Sequence, residues 1–299
     1  MRAVRAVVVD DSNLTSSNVA ESEPVYAGGT TYALGARVRG TGGLAHTVFE
    51  SLQAGNTGNA LGVVGSLWWI KVGATNKFAM FDQKIGNQTT NADSIDVSFT
   101  VAGFLDAIAV LNASASTVRA IVTSPSAGVV YDKTVSMVAG SGVDDWLKWL
   151  IEPISRVDRV TFEDIPPFAG CTVRVILADP GATAACGELL CGASKSLGDT
   201  QWNPQIAFND TSVKTRNDFG DVDLIPRPYY DSGTFTLNID AGEVDDVKAF
   251  IASIRGQFVL FIGDPGYAST AIFGFVSGFT IAISYPTFSV ASLSIEGAT

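Results

Sequence analysis

Nucleophilic catalysis by a Ser-His-Asp or Cys-His set needs an imidazole, and this chain of 299 residues has one, His46. The same count excludes any multi-histidine metal site. Cys171, Cys186 and Cys191 are the remaining soft ligands. A tetrahedral zinc site on Cys186 and Cys191 would need carboxylate help, so buried structural thiols are the expectation. Odd in number and sparse, the three fall short of a secreted disulfide framework and fit assembly in a reducing cytosol. Asp144, Asp145, Glu163 and Asp164 supply carboxylates, and glycosidic cleavage requires two of them facing one bond at a defined separation. Acidic residues in Gly-rich loops are ordinarily solvated turn residues, and no D-x-D-x-D-G calcium loop accompanies these. No catalytic residue, metal ligand or cofactor is therefore assigned, and an enzyme is not expected.

Aromatic rings offer a different chemistry, since the apolar face of a pyranose stacks on an exposed ring while its hydroxyls meet Asn or Gln. They concentrate in Tyr26-Ala-Gly-Gly-Thr-Thr-Tyr32-Ala-Leu-Gly35-Ala-Arg-Val38, continue through Thr47-Val-Phe49-Glu-Ser-Leu-Gln53-Ala-Gly-Asn56, and close on Trp68-Trp69. This pattern resembles the small carbohydrate-binding modules carried by chitinases and cellulases. The resemblance implies that Tyr32, Trp68 and Trp69 contact sugar. So small a module needs aromatics for its own core, and Tyr26, Tyr32 and Trp69 are expected mainly as scaffold, with sugar stacking by Tyr32, Trp68 or Trp69 the second reading.

The segment Val72-Gly-Ala-Thr-Asn76-Lys-Phe78-Ala-Met-Phe81-Asp82-Gln-Lys-Ile-Gly86-Asn-Gln-Thr-Thr90 is similar to one in tail proteins of tailed bacteriophages, where it opens a jelly-roll β-sandwich. Asp218-Phe219-Gly220 with Arg227, and Leu260-Phe261-Ile262-Gly263, resemble the same proteins. The resemblance implies a structural protein of the tail tip or baseplate, assembled in the host cytoplasm into the virion. Its implied partners are other tail proteins, copies of itself around the tail axis, and a host cell-surface glycan. The alternatives are a receptor-binding lectin and, third, a polysaccharide-degrading tail enzyme.

The elements that must position these residues read as mainly β. Val4 to Val9, Ile95 to Val101, Asp106 to Leu111, Thr117 to Val122, Val129 to Tyr131, Arg159 to Phe162 and Thr172 to Leu177 are short Val-, Ile-, Thr- and Phe-rich runs between turn residues, the punctuation of an antiparallel sandwich or jelly roll. Strict alternation from Ile95 to Val101 predicts one buried and one solvated face. A helix is expected from Gly242 to Arg255, where Val244, Val247, Ile251 and Ile254 recur at helical spacing behind an Asp240/Glu243 capping box. Strands follow at Gln257 to Ile262, Ile272 to Val276, Phe279 to Ser284 and Ser289 to Ile295, with a turn at Asp264-Pro265-Gly266. Trp146 and Trp149, three apart, are expected to pack under the sandwich.

Composition divides the chain into a strand and linker (1–21), the aromatic module (22–73), the sandwich (74–192) and a C-terminal β-rich α+β unit with one amphipathic helix (193–299). The apolar strands of the last unit need cover on both faces or a partner chain, so it is expected to dock the protein in an assembly while 22–192 lies further out. Lys and Arg number 19 against 30 Asp and Glu, a net charge of −11 without any basic run, which disfavours nucleic acid. No apolar stretch is long enough to cross a membrane as a helix, and the N-terminus lacks a signal-peptide pattern, so a soluble, unprocessed chain without membrane insertion is expected.

Overall fold

A computed structural model describes residues 1–138, 145–151, 156–216, 220–264 and 266–298; of the side chains of Lys148 and Trp149 nothing is described. The chain opens with β1 (Arg2–Val4) and β2 (Leu14–Ser17), and the aromatic module holds β3 (Arg37–Arg39), β4 (Thr47–Ser51) and β5 (Trp69–Ala74). Next come β6 (Thr89–Leu105), β7 (Ala107–Ser114), β8 (Thr117–Ser124), β9 (Gly128–Ser136), the short helix α1 (Trp146–Ile151), β10 (Val160–Phe162) and β11 (Phe168–Gly192). The C-terminal part adds β12 (Ser194–Ser196), β13 (Asp199–Thr200), β14 (Gln205–Asp210), β15 (Val213–Arg216), β16 (Val222–Ile225) and β17 (Tyr229–Asp240). Helix α2 (Val244–Ser253) then precedes β18 (Val259–Ile262), β19 (Ala271–Ala282) and β20 (Phe288–Gly297). The fold is mainly antiparallel β.

Seven strands wrap around the sandwich core in the order β10-β7-β11-β6-β2, with β8 on β11 and β9 on β8. The expected alternation holds in β6: Ile95, Val97, Phe99 and Val101 are buried, while Asp96, Ser98 and Thr100 are not. A register break between Ala178 and Thr183 divides β11. Its first half pairs with β8 and its second with β7, so one long strand serves two layers. Side chains from both halves, together with Phe99, Phe162, Val118 and Val110, fill one core.

The second large sheet runs β12-β1-β18-β19-β20-β17-β13, with β14 also on β17. Helix α2 covers one face, burying Val247, Ile251 and Ile254 among Phe235, Leu237, Ile239 and Leu293 as the 3.6-residue period requires. The capping box does not form: Glu243 is the N-cap residue and donates only its backbone N–H to the Asp240 carbonyl, because Asp240 is still the last residue of β17. Ile272 to Val276 and Phe279 onward, expected as two strands, are one strand bent at a bulge between Val276 and Gly278. The first strand lies earlier than expected, Arg2–Val4 sharing only Val4 with the run Val4 to Val9, and β1 pairs with β12 and β18 while β2 joins the sandwich. The crossing between sheets is tight, since a Cβ on Gly192 would lie 2.1 Å from the Arg5 carbonyl oxygen.

The two sheets share a third core. From β7, Ile108 and Val110 face the sandwich interior while Ala107, Ala109 and Leu111 face Val4, Leu260, Ile262, Ala271 and Phe273. Strand β18 is likewise covered twice, by the helix core over Val259 and Phe261 and by this seam over Leu260 and Ile262. The cover these apolar strands need comes from the chain itself, so their composition is no argument for a docked partner. Two arginines rivet the seam: Arg2 to Glu163 at 2.5 Å and Arg159 to Asp231 at 3.2 Å.

Candidate functional site

The aromatic module is a three-stranded sheet, β3-β4-β5, around Val38, Phe49 and Trp69. Trp69 is 4% exposed. Tyr26 and Tyr32 meet it edge-on at 5.8 and 5.2 Å, and its indole N–H donates to the Asn59 carbonyl at 2.9 Å. Tyr26 donates its hydroxyl to the same carbonyl at 2.8 Å, and the Tyr32 hydroxyl accepts from the Ala27 N–H at 2.8 Å. Buried Asn56 ties the arrangement by donating to Ser51 and to the Trp68 carbonyl. With its surroundings filled this way, Trp69 is the pillar of a small core, the scaffold place that the sequence also allowed it. Tyr32 and Trp68 are half-buried, and their outer surfaces are open to solvent.

The described groups among those considered for catalysis are otherwise engaged. Glu163 is paired with Arg2, and Asp164 accepts from Tyr131 at 2.5 Å and Lys133 at 2.8 Å. Those two bonds hold the Asp164 carboxyl below the usual carboxylate range. Asp145 accepts from the Leu147 N–H at 3.3 Å, and Asp144 lies outside the described residues. The cysteines are free and buried, with burial pushing the Cys191 thiol up to about 12 and Cys186 further in the same direction. Thiols so far from ionisation are neither nucleophiles nor ready ligands. Among the described residues no cluster of three His, Cys, Asp or Glu side chains is placed to hold a metal.

A cavity of about 210 Å³ opens on the seam between the sheets, walled by Leu111, Ile272, Phe273, Tyr229 and Tyr230 with Arg159 in its lining. The guanidinium donates to Asp158 at 3.3 Å, the Ala271 carbonyl at 3.2 Å and Asp231 at 3.2 Å. Burial opposes its charge, but the carboxylates of Asp158 and Asp231 outweigh it and raise its pKa. Arg159 is thus a cross-sheet tie as well as a pocket residue.

The feature that sequence reading missed is an arm. Strand β14 pairs with the start of β17, and among the described residues β15 and β16 pair only with each other, so 205–216 and 220–228 form a largely exposed extended hairpin. Exposed apolar side chains run along it: Trp202 at 86%, Phe208, Leu224, Ile225 and Tyr229, with Phe208 and Tyr229 in edge contact at 6.4 Å. The sequence signal was alternation without a burial partner, in Gln205-Ile-Ala-Phe208 and Val222-Asp-Leu-Ile225. Arg227 donates its backbone N–H to Ser212 at the arm's neck, while Asp218 and Phe219 lie outside the described residues. A second exposed patch is α1, where Trp146 is 74% exposed and Leu147, Leu150 and Ile151 also face solvent. Trp146 therefore does not pack under the sandwich: within α1, too short to fold on a stripe of its own, it lies on the link from β9 to β10, away from the core.

Neither a scan of protein-family models nor a search of curated proteins matches this chain.

Proposed function

We propose that this chain is a non-enzymatic structural subunit of a bacteriophage tail tip or baseplate, assembling with copies of itself and with other tail proteins. The observation that carries the reading is the arm. A free two-stranded hairpin is marginal in water, and one with this many exposed aromatic and aliphatic side chains gains its stability when another surface covers them. A heterologous contact, in which the arm of one copy lies on the body of the next, closes into a ring when the rotation permits, as assembly around a tail axis requires. The sequence resemblance to tail proteins supplies the setting. A host-glycan lectin is the second reading, and it rests on the half-exposed rings of Tyr32 and Trp68.

Sedimentation of the full chain against a variant carrying Trp202→Ser, Phe208→Ser and Leu224→Ser tests the arm. The wild type is expected to associate with rising concentration and the variant to remain monomeric with unchanged circular dichroism. Equal association of both would remove the arm from the proposal, and a wild type that stays monomeric near millimolar concentration would contradict self-assembly through it.

A further inference from the structure

The single histidine stands where the aromatic module meets the sandwich. His46 precedes β4, and its ring stacks on Phe78 of the sandwich side at 3.6 Å between centroids, 27° from parallel. Its Nε2 lies 2.8 Å from Asp11 Oδ2, which holds a proton on that nitrogen and leaves Nδ1 as the variable position. Nδ1 is buried without a protein partner and lies 4.0 Å from Glu21 Oε1, and the other oxygen of that carboxylate is buried without a protein partner too. Thr75, whose N–H donates to the His46 carbonyl at 3.0 Å, also has an unpartnered hydroxyl. With Nε2 donating to Asp11, bare Nδ1 and the Glu21 carboxylate are two acceptors 4.0 Å apart.

We propose that this joint is a proton-operated latch: protonation of His46 Nδ1 bonds the module to Glu21 and fixes it against the sandwich, and deprotonation releases it. With Nδ1 bare, its lone pair faces the Glu21 carboxylate. A proton there makes the imidazolium a bridge between two carboxylates from the leading segment, Asp11 and Glu21, while the stack on Phe78 stays in place. Among the other charges, Asp10 is within electrostatic reach of His46 and favours the cation; Asp82, Lys71 and Lys84 line the same shallow groove as His46. Lys77 Nζ lies 5.8 Å from the Phe78 ring centroid, a positive charge beside the stack.

Because the chain has one histidine, its imidazole nitrogens give a single set of ¹⁵N signals that needs no assignment. On acidification from pH 8 to pH 5.5, the Nδ1–H is expected to appear as a hydrogen-bonded proton slow to exchange with water. The Thr75 amide should become about tenfold better protected after correction for intrinsic exchange. His46→Phe keeps the stack but cannot titrate, and it should abolish the pH response; Glu21→Gln keeps the shape and should reduce it. An Nδ1 proton in free exchange with solvent at pH 5.5, unchanged Thr75 protection in the wild type, or a wild-type response in Glu21→Gln would overturn the latch. The ¹⁵N spectrum and Glu21→Gln decide the matter even where His46→Phe does not fold.

Discussion

Trp68 and Trp69 are neighbours in sequence and opposites in role. Trp69, the first residue of β5, is turned inward between two tyrosines while Trp68 just before it is only half-buried, and nothing in the adjacent letters says which of the two is which. Trp69→Ala is expected to cost about 3–5 kcal/mol and unfold the module, seen as an early transition in a thermal melt, because it opens a cavity in a core of few residues. Trp68→Ala, which removes only partly buried packing, should lower the melt far less than Trp69→Ala; on a glycan array it lowers any sugar signal if the lectin reading holds. Glu188 is a second residue whose behaviour follows from its place. It is 2% exposed, and burial, helped by the nearby Asp82 charge, raises its carboxyl to about 9 against the 3.0 Å bond donated by the Gln83 N–H. The folded chain therefore keeps a proton that the unfolded chain releases above 4.5, so this contribution to stability is whole below pH 4.5 and declines as pH rises toward 9. In urea unfolding at pH 5 and pH 8, Glu188→Gln should remove that decline and be more stable than the wild type at pH 8 by on the order of 1–3 kcal/mol. An equal pH slope in both proteins would contradict a neutral Glu188.

At the scale of elements, strands with one solvated face announced themselves, β6 most plainly, because alternation is local information. The helix was legible for the same reason, and Ile251→Ala should destabilise the chain by about 2–4 kcal/mol while speeding amide exchange in α2 first. What local pattern could not supply was the identity of the cover. Strands β7 and β18 read as long apolar runs, and only the tertiary arrangement shows each buried between two cores of its own chain. The arm and α1 are the converse: apolar residues such as Trp146 and Trp202 look like core in sequence and stand exposed in the fold.

For the whole molecule, the fusion of the two sheets changes what can be cut from what. A chain ending at Ala193 keeps Val4, Ala107, Ala109, Leu111 and Leu190 but loses Leu260, Ile262, Ala271 and Phe273, which cover them. It is expected to aggregate on expression, not to fold as a soluble outer module, and a monodisperse, cooperatively melting fragment by light scattering and calorimetry would show that the seam is dispensable. The two fused sheets therefore act as one piece. The central claim is that this piece is a part of a particle. Quantitative mass spectrometry of purified phage particles, paired with antibody labelling under the electron microscope, tests it most directly. The account predicts the chain in fixed copy number at the tail end, and its presence in infected-cell lysate but absence from purified particles would contradict it.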